Sequence, residues 1–214
     1  WSPFGSACVR GHLRVATLLV ERGATVDLCC NDATPLLVAS RNQNLDAMQL
    51  CLERGADVNW ANEEGTTGLH VACQNGHVDA VRLCLERGAD PNWVHKEGST
   101  DLYKYWRTGR AHVLFDDGTE IVRADMYGST PLHIACYNGH VNTARLLLDN
   151  GAEVDQTAEG GFTPLYVACQ DGHVDAARLL LDKGAEVDRA DEDGWTPLYV
   201  ACRGVHVDAG GHVD

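Results

Sequence analysis

The sequence predicts an all-α repeat solenoid, in which similar two-helix units stack in a row. The first observation is that Thr-Pro-Leu recurs with a period of 33 residues, in full at Thr34, Thr130, Thr163 and Thr196 and in altered form at Thr67 and Thr100. The second is a Gly-His pair nine residues after the threonine, and the third a Gly-Ala pair twenty-one residues after it. Repetition at such a period indicates a stacked array. Arrays of this kind offer a long surface and no single deep pocket.

The first helix of each unit is predicted to begin at the threonine. In the copy at Thr163, the hydroxyl can accept a hydrogen bond from an unpaired backbone N–H, and Pro164 stands at the first helical position, where its missing N–H has no cost. Leu165 and Ala168 then lie on one helical face. Gly172 is a typical residue for ending such a helix. A helix of about two turns is therefore expected here.

A second helix follows in each unit. Its predicted buried stripe in the same copy consists of Val174, Ala177, Leu180 and Leu181, and Gly184 closes it. The charged stretch that follows predicts an extended segment and a turn. A unit of this size cannot bury its own apolar surface, so neighbouring units must stack.

The period divides the chain into seven segments. They are a partial repeat at 1–31, repeats at 32–64, 65–97, 128–160 and 161–193, a degenerate shortened repeat at 98–127, and a partial, degraded repeat at 194–214. In the degenerate copy, Asp101 replaces the helix-starting proline and Trp106 stands where Cys73 stands one repeat earlier. Because a poor unit weakens both its interfaces, we expect the blocks on either side to be partly uncoupled there. An error in the underlying gene sequence is the alternative.

The run from Gly128 to Asp155 resembles the ankyrin repeat. It reads Gly-x-Thr-Pro-Leu-His-x-Ala-Cys-x-x-Gly-His, then a leucine-rich helix, then Gly-Ala-x-Val-Asp, and similar runs cover essentially the whole chain. The resemblance implies a helix–turn–helix with a β-hairpin finger in each repeat, stacked into a curved solenoid. It also implies an interaction module or scaffold that binds a partner protein through fingertips and first helices. Two alternatives stay open: the targeting arm of a larger enzyme, such as a kinase or a ubiquitin ligase, and a non-functional array.

The charge of the chain indicates the class of partner. A formal net charge of −14, from 31 acidic and 17 basic residues, argues against nucleic acid or an anionic membrane surface. No apolar stretch approaches the roughly 18 residues of a membrane helix. We expect a monomer that binds a protein partner through a basic segment.

Most cysteines and histidines fall on repeat positions. Cysteines on a repeat lattice are most simply buried hydrophobes, and nine of them without a CxxC pair predict reduced thiols and an intracellular protein, with the cytoplasm as the expected compartment. A catalytic site needs unrepeated groups that converge on one point. Cys202, His206 and His212 have a loosely metal-like spacing, but the runs around the two histidines repeat the Gly-His-Val-Asp that opens a second helix. We therefore expect no catalytic residues, no metal and no cofactor.

Candidate partner-binding residues are those that vary between repeats near the fingertips. Large aromatic side chains on polar loops are typical interface anchors. The alternatives are that the rings pack on a neighbouring finger and that the acidic tips are only a solvated surface. The candidates are Trp60, Glu63, Glu64, Trp93, Lys96, Glu97, Tyr127, Glu159, Phe162, Glu192, Asp193 and Trp195.

Overall fold

A computed structural model describes residues 2–29, 33–63, 65–94, 113–114, 120–121 and 128–208, with side chains up to residue 203. The first helices of successive repeats are α1 (Pro3–Val9), α3 (Pro35–Arg41), α5 (Gly68–Gln74), α7 (Pro131–Tyr137), α9 (Pro164–Gln170) and α11 (Pro197–Asp208). The second helices are α2 (Leu13–Glu21), α4 (Leu45–Glu53), α6 (Val78–Glu86), α8 (Val141–Asp149) and α10 (Val174–Asp182). Two short strands, β1 (Val113–Leu114) and β2 (Glu120–Ile121), pair antiparallel.

The helices pack in two layers. Each first helix from α1 to α9 packs against its own second helix and against the first helix of the next repeat in the stack, and the second helices pack on one another in the same order. One hydrophobic core runs through the stack. It contains small residues of the first helices, such as Ala72, Cys73, Ala135 and Cys136. Because small side chains let helices approach closely, this core is narrow and continuous. The predicted all-α repeat solenoid is confirmed.

The start of the first helix is fixed by local capping. The Thr163 hydroxyl accepts the backbone N–H of Tyr166 at 3.1 Å. In α7 the capping is reciprocal, since the Thr130 N–H also donates to His133 Nδ1 at 3.2 Å. A glycine with positive φ follows, and a Cβ on Gly139 would lie 2.7 Å from the His173 ring of the next repeat. Glycine is required there by both the backbone conformation and the close neighbour.

The predicted fingers are present as tight hairpin turns. The Asn62 N–H donates to Thr66 O at 3.1 Å, and Ala61 and Thr67 form a single β-bridge. The equivalent hydrogen bonds further along join Ala158 N to Phe162 O and Asp191 N to Trp195 O, both at 2.9 Å. Each described finger is therefore shorter than an extended two-stranded hairpin.

Two ladders of hydrogen bonds tie each repeat to the next. In the first, the residue at the start of each second helix donates to a carbonyl of the preceding repeat. The pairs are Asn44 with Cys8 at 3.2 Å, His77 with Ser40 at 3.2 Å, His140 with Gln74 at 3.1 Å and His173 with Tyr137 at 2.8 Å. In the second, an Asp or Asn carboxyl or amide oxygen accepts a backbone N–H of the following repeat. These pairs are Asp27 with Asp57 at 3.2 Å, Asn59 with Asp90 at 2.9 Å, Asn92 with Glu153 at 2.8 Å and Asp155 with Glu186 at 3.1 Å.

Both ladders cross directly from the repeat at 65–94 to the repeat at 128–160. Helix α5 packs on α7 and α6 packs on α8, and His140 and Asn92 make the same contacts here as their equivalents make elsewhere. The two blocks are therefore in direct contact, and their partial uncoupling at residues 98–127 stays a prediction. The repeats at 65–94 and 128–160 pack face to face, so no other repeat lies between them in the stack. Apart from β1 and β2, the 98–127 segment lies outside the described residues, and its internal organisation stays a prediction.

The last described helix differs from the other first helices. Helix α11 has 12 residues, against seven in α9. In α9 the helix-ending Gly172 comes three residues after Cys169, whereas Val205 occupies that position after Cys202. A β-branched residue disfavours the positive φ that ends the other first helices, so the helix continues. The sequence analysis did not predict this longer helix.

Replacing Gln43 by glycine should stabilise the chain. Gln43 has a φ of +53° at the position where the other repeats have glycine. Left-handed backbone costs a non-glycine residue about 1–2 kcal/mol, and the greater freedom of glycine in the unfolded chain offsets part of the gain. We expect the free energy of unfolding to rise by about 0.5–1 kcal/mol, measured by urea denaturation.

Gly172→Ala is the matched control for Gln43→Gly. Gly172 has a φ of +71°, and a Cβ added to it would meet no neighbouring atom within 4 Å, so the substitution adds backbone strain without a steric clash. It should lower stability by a similar amount. If Gln43→Gly left the urea midpoint unchanged or lowered it, the backbone at residue 43 would not be strained.

Candidate partner-binding surface

The fingertips of neighbouring repeats contact one another. The Glu192 N–H donates to Gly160 O in the preceding finger at 2.9 Å. A Cβ on Gly128 would lie 3.1 Å from Glu159 N, and one on Gly161 would lie 3.1 Å from Glu192 N. The three tips near residues 128, 160 and 193 therefore contact one another in succession. We call the described tips, residues 62–63, 65–66, 158–162 and 191–195, the finger edge.

The finger edge is acidic. Glu63, Glu159, Glu192 and Asp193 are exposed on it, and none of its described residues is Lys or Arg. Asp191 closes its own turn, because its Oδ1 accepts the Asp193 N–H at 3.1 Å and the Trp195 N–H at 2.8 Å. The exposed carboxylates are thus held on turns that are themselves closed by hydrogen bonds.

The aromatic residues at two of the tips are half-buried and stack on the helices that follow. The Phe162 ring lies 5.0 Å from the Tyr166 ring, and the Trp195 ring lies 5.3 Å from the Tyr199 ring. The Arg203 guanidinium lies 5.4 Å from the centre of the Trp195 ring, a distance suited to a cation–π contact. Sequence reasoning missed Arg203, although the spacing of four between Tyr199 and Arg203 on one helix predicts such neighbours.

The two earlier tryptophans are more firmly held by the chain. Trp93 Nε1 donates to Gly65 O in the neighbouring finger at 3.2 Å. Trp60 is half-buried against a small apolar cluster formed by Ala33, Leu37, Val38 and Val71. For this pair, the alternative that the rings pack within the chain accounts for the contacts seen.

The middle of the first helices α5, α7 and α9 offers little surface. Val71, Ile134 and Val167 are all buried. Accessible surface is confined to the last residues of these helices, where Gln74, Tyr137 and Gln170 are half-buried. Glu64, Lys96, Glu97 and Tyr127, the other candidate residues, lie outside the described part of the chain.

The repeated titratable groups have structural environments. Burial lowers the pKa of His133 to about 4, although its Nδ1 accepts the Thr130 N–H and its Nε2 donates to Phe162 O. Burial raises the pKa of the Cys84 thiol to about 12, so the thiolate is disfavoured. Within the described ranges, no three His, Cys, Asp or Glu side chains form a group that could hold a metal ion. His133 and Cys84 are therefore buried in the stack in their neutral forms.

No helix among the described residues combines the length and the apolar character needed to cross a lipid bilayer.

The family comparison agrees with the architecture. A family model described as ankyrin repeats matches the chain in three copies, over residues 1–62, 47–158 and 154–210. The matches together extend over nearly the whole sequence, including the part that continues into α11.

Proposed function

Because the chain belongs to the ankyrin-repeat family, whose repeats are generally protein–protein interaction modules, we propose that it binds a basic segment of a partner protein along the finger edge. In this proposal the chain is a binding or scaffold module within the cell and performs no catalysis of its own. The observation that carries the proposal is the group of exposed carboxylates of Glu159, Glu192 and Asp193 on two adjoining tips, which the hydrogen bond from Glu192 N to Gly160 O joins.

The chemistry of the finger edge favours a basic partner. Glu159, Glu192 and Asp193 lie on adjoining turns, so a cationic segment laid along the edge meets several negative charges in succession. Complementary charge of this kind increases the association rate and specificity more than the affinity. The half-buried Phe162 and Trp195 rings supply apolar contacts beside the carboxylates. Aromatic anchors beside a charged rim are a common arrangement in protein interfaces.

Charge reversal on the finger edge should slow partner binding. The variant Glu192→Lys/Asp193→Lys should reduce the association rate by about tenfold, and salt should slow the wild type more than the variant, because steering is screened over about 10 Å at 0.1 M salt. The chain serves as bait to isolate a partner, and stopped-flow fluorescence then gives the rate for each purified variant.

The matched control is Asp79→Lys/Glu86→Lys on α6. Both residues are exposed, and the change in net charge is the same, but they lie on a second helix and not on the finger edge. This control should retain most of the wild-type rate. An equal loss in both variants would mean that overall charge, and not the finger edge, attracts the partner.

A further inference from the structure

Three Asn-Gly pairs occur in the sequence, at Asn75, Asn138 and Asn150. The first two directly follow the first helices α5 and α7, and the third follows the second helix α8. In such a pair the glycine nitrogen can attack the asparagine side-chain carbonyl, because no glycine side chain obstructs the ring that forms. The ring needs a backbone conformation other than that of a helix end, so local opening of the fold controls the reaction.

The first two pairs are covered by the next repeat in the stack. A Cβ on Gly76 would lie 2.8 Å from the His140 ring, and one on Gly139 would lie 2.7 Å from the His173 ring. Both rings are held in place by hydrogen bonds to carbonyls of the preceding repeat, and both glycines are half-buried. Neither glycine can rotate into the ring-forming conformation without displacing a histidine.

The pair at Asn150 has no such cover. Asn150 and Gly151 are both exposed, and a Cβ on Gly151 would meet no neighbouring atom within 4 Å. The Asn150 N–H donates to Leu147 O, three residues back, whereas the N–H groups of Asn75 and Asn138 donate to carbonyls four residues back, as in a continuing α-helix. Helix ends with this shorter hydrogen bond fray readily.

The side-chain hydrogen bond does not distinguish the three asparagines. In each, Nδ2 donates to the carbonyl four residues back at 2.8 Å. The bond from Asn150 to Leu146 O is the exposed one, and the other two are partly buried. The difference between the pairs is therefore their cover and not the bonding of the amide.

A carboxylate would be poorly accommodated at position 150. The other second helices have a basic residue here, namely Arg22, Arg54, Arg87 and Lys183. A cation is favoured at a helix C-terminus by the helix dipole, and an anion is disfavoured. Conversion of Asn150 to an acid would also remove the donor to Leu146 O and place a second negative charge beside Asp149.

We propose that Asn150 is a site of spontaneous deamidation, which loosens the contact between the repeats at 65–94 and 128–160. The Gly151 nitrogen forms a bond to Asn150 Cγ, the Cγ–Nδ2 bond breaks, and Nδ2 leaves as ammonia with the proton of the Gly151 N–H. Water then opens the cyclic imide at either carbonyl and gives aspartate or isoaspartate. Water is the only co-reactant, and nothing is oxidised or reduced.

The modified residue adjoins a contact that joins these two repeats. Asn92 Nδ2 donates to Gly151 O at 3.0 Å, and Asn92 Oδ1 accepts the Glu153 N–H at 2.8 Å. Isoaspartate carries the main chain through its Cβ and Cγ, so it inserts one carbon before Gly151 and displaces the carbonyl that Asn92 binds. The site is separate from the finger edge and does not depend on partner binding.

Incubation of the full chain at neutral pH, followed by brief trypsin digestion and mass spectrometry, measures each asparagine separately. Cleavage after Arg and Lys places the three pairs in different peptides. Each acid differs from its amide in mass, and isoaspartate separates from aspartate by chromatography. We expect Asn150 to react about tenfold faster than Asn75 or Asn138 in the folded chain. In urea the three rates should lie within about threefold of one another, because no neighbouring repeat covers any pair.

Asn150→Lys is the matched variant for the effect on the contact, because lysine stands at the equivalent position after α10 and cannot deamidate. After incubation, the Glu153 amide should exchange hydrogen about fivefold faster in the deamidated wild type and at an unchanged rate in the variant. The Glu186 N–H, which donates to Asp155 one repeat later, is the internal control and should not change.

Two results would overturn the proposal. Equal rates at the three asparagines in the folded chain, or a faster rate at Asn138, would mean that Asn150 is not the reactive site. Deamidation of Asn150 with unchanged exchange at Glu153 would mean that the contact with Asn92 does not loosen. Neither measurement involves a partner, so failure of the proposed function would leave both results as they are.

Discussion

Replacing Leu165 by alanine should lower the free energy of unfolding by about 2–5 kcal/mol, whereas the same replacement at Leu198 should cost less than about 0.5 kcal/mol. The two leucines have the same neighbours in sequence, because both follow proline in Pro-Leu-Tyr-Val-Ala-Cys. Leu165 is fully buried between α9 and its neighbours, so truncation leaves a cavity in addition to the lost apolar burial. Leu198 is 66% exposed on α11, so its truncation removes little buried surface.

Urea denaturation followed by circular dichroism gives both values. Because repeat arrays unfold partly by segments, the comparison uses the two variants in the same chain under the same conditions. Equal destabilisation would show that Leu198 is covered in solution. Leu132→Ala, at an equally buried position in α7, should resemble Leu165→Ala.

The stability of the chain should fall by about 3 kcal/mol between pH 6.5 and pH 4 through His133 alone. Burial lowers the pKa of His133 from 6.5 to about 4 in the folded chain. Above pH 6.5 the imidazole is neutral in both states, so its contribution is fully retained. As the pH falls from 6.5 to 4, the unfolded chain takes up the proton first and is favoured, at about 1.4 kcal/mol per pH unit. Below pH 4 both states are protonated and the loss is complete.

The comparison with His133→Tyr isolates this effect. Tyr166 occupies the equivalent buried position in the next repeat and does not titrate in this range, since burial raises its pKa further. Urea denaturation at several pH values should show a shallower loss of stability in the variant, whatever its absolute stability. The same slope in both proteins would mean that His133 is protonated in the fold without penalty.

The helices could be predicted from the sequence because their limits are set locally. The Thr163 cap, Pro164 and Gly172 act within one turn of the chain, and the structure begins and ends α9 between them. The length of α11 was missed because it depends on a shift of one residue in the position of a glycine. That signal is present at Val205 but is easily overlooked beside the Gly-His pattern of the other repeats.

The neighbours in the stack could not be read from local sequence. Thr67 and Thr130 are 63 positions apart, so counting periods placed another repeat between them. The contact of His140 with Gln74 depends on two faces that fit each other across that distance. Likewise, the sequence identified Trp93 as a candidate anchor, but the Gly65 carbonyl that holds its indole comes from another finger. A single sequence therefore predicts the contacts within a repeat but not the contacts between repeats.

The direct contact between the repeats on either side of residues 95–127 has a consequence for how this chain can vary. The two repeats contact each other directly, so the register of the array across this point is set by contacts such as that of His140 with Gln74 and not by a count of 33 residues. We expect that register to be preserved when sequence is gained, lost or exchanged between Val94 and Gly128. This position therefore suits the insertion of a reporter or of a second module. In evolution, it is the place where a rigid array can acquire new sequence with the least disturbance to its packing.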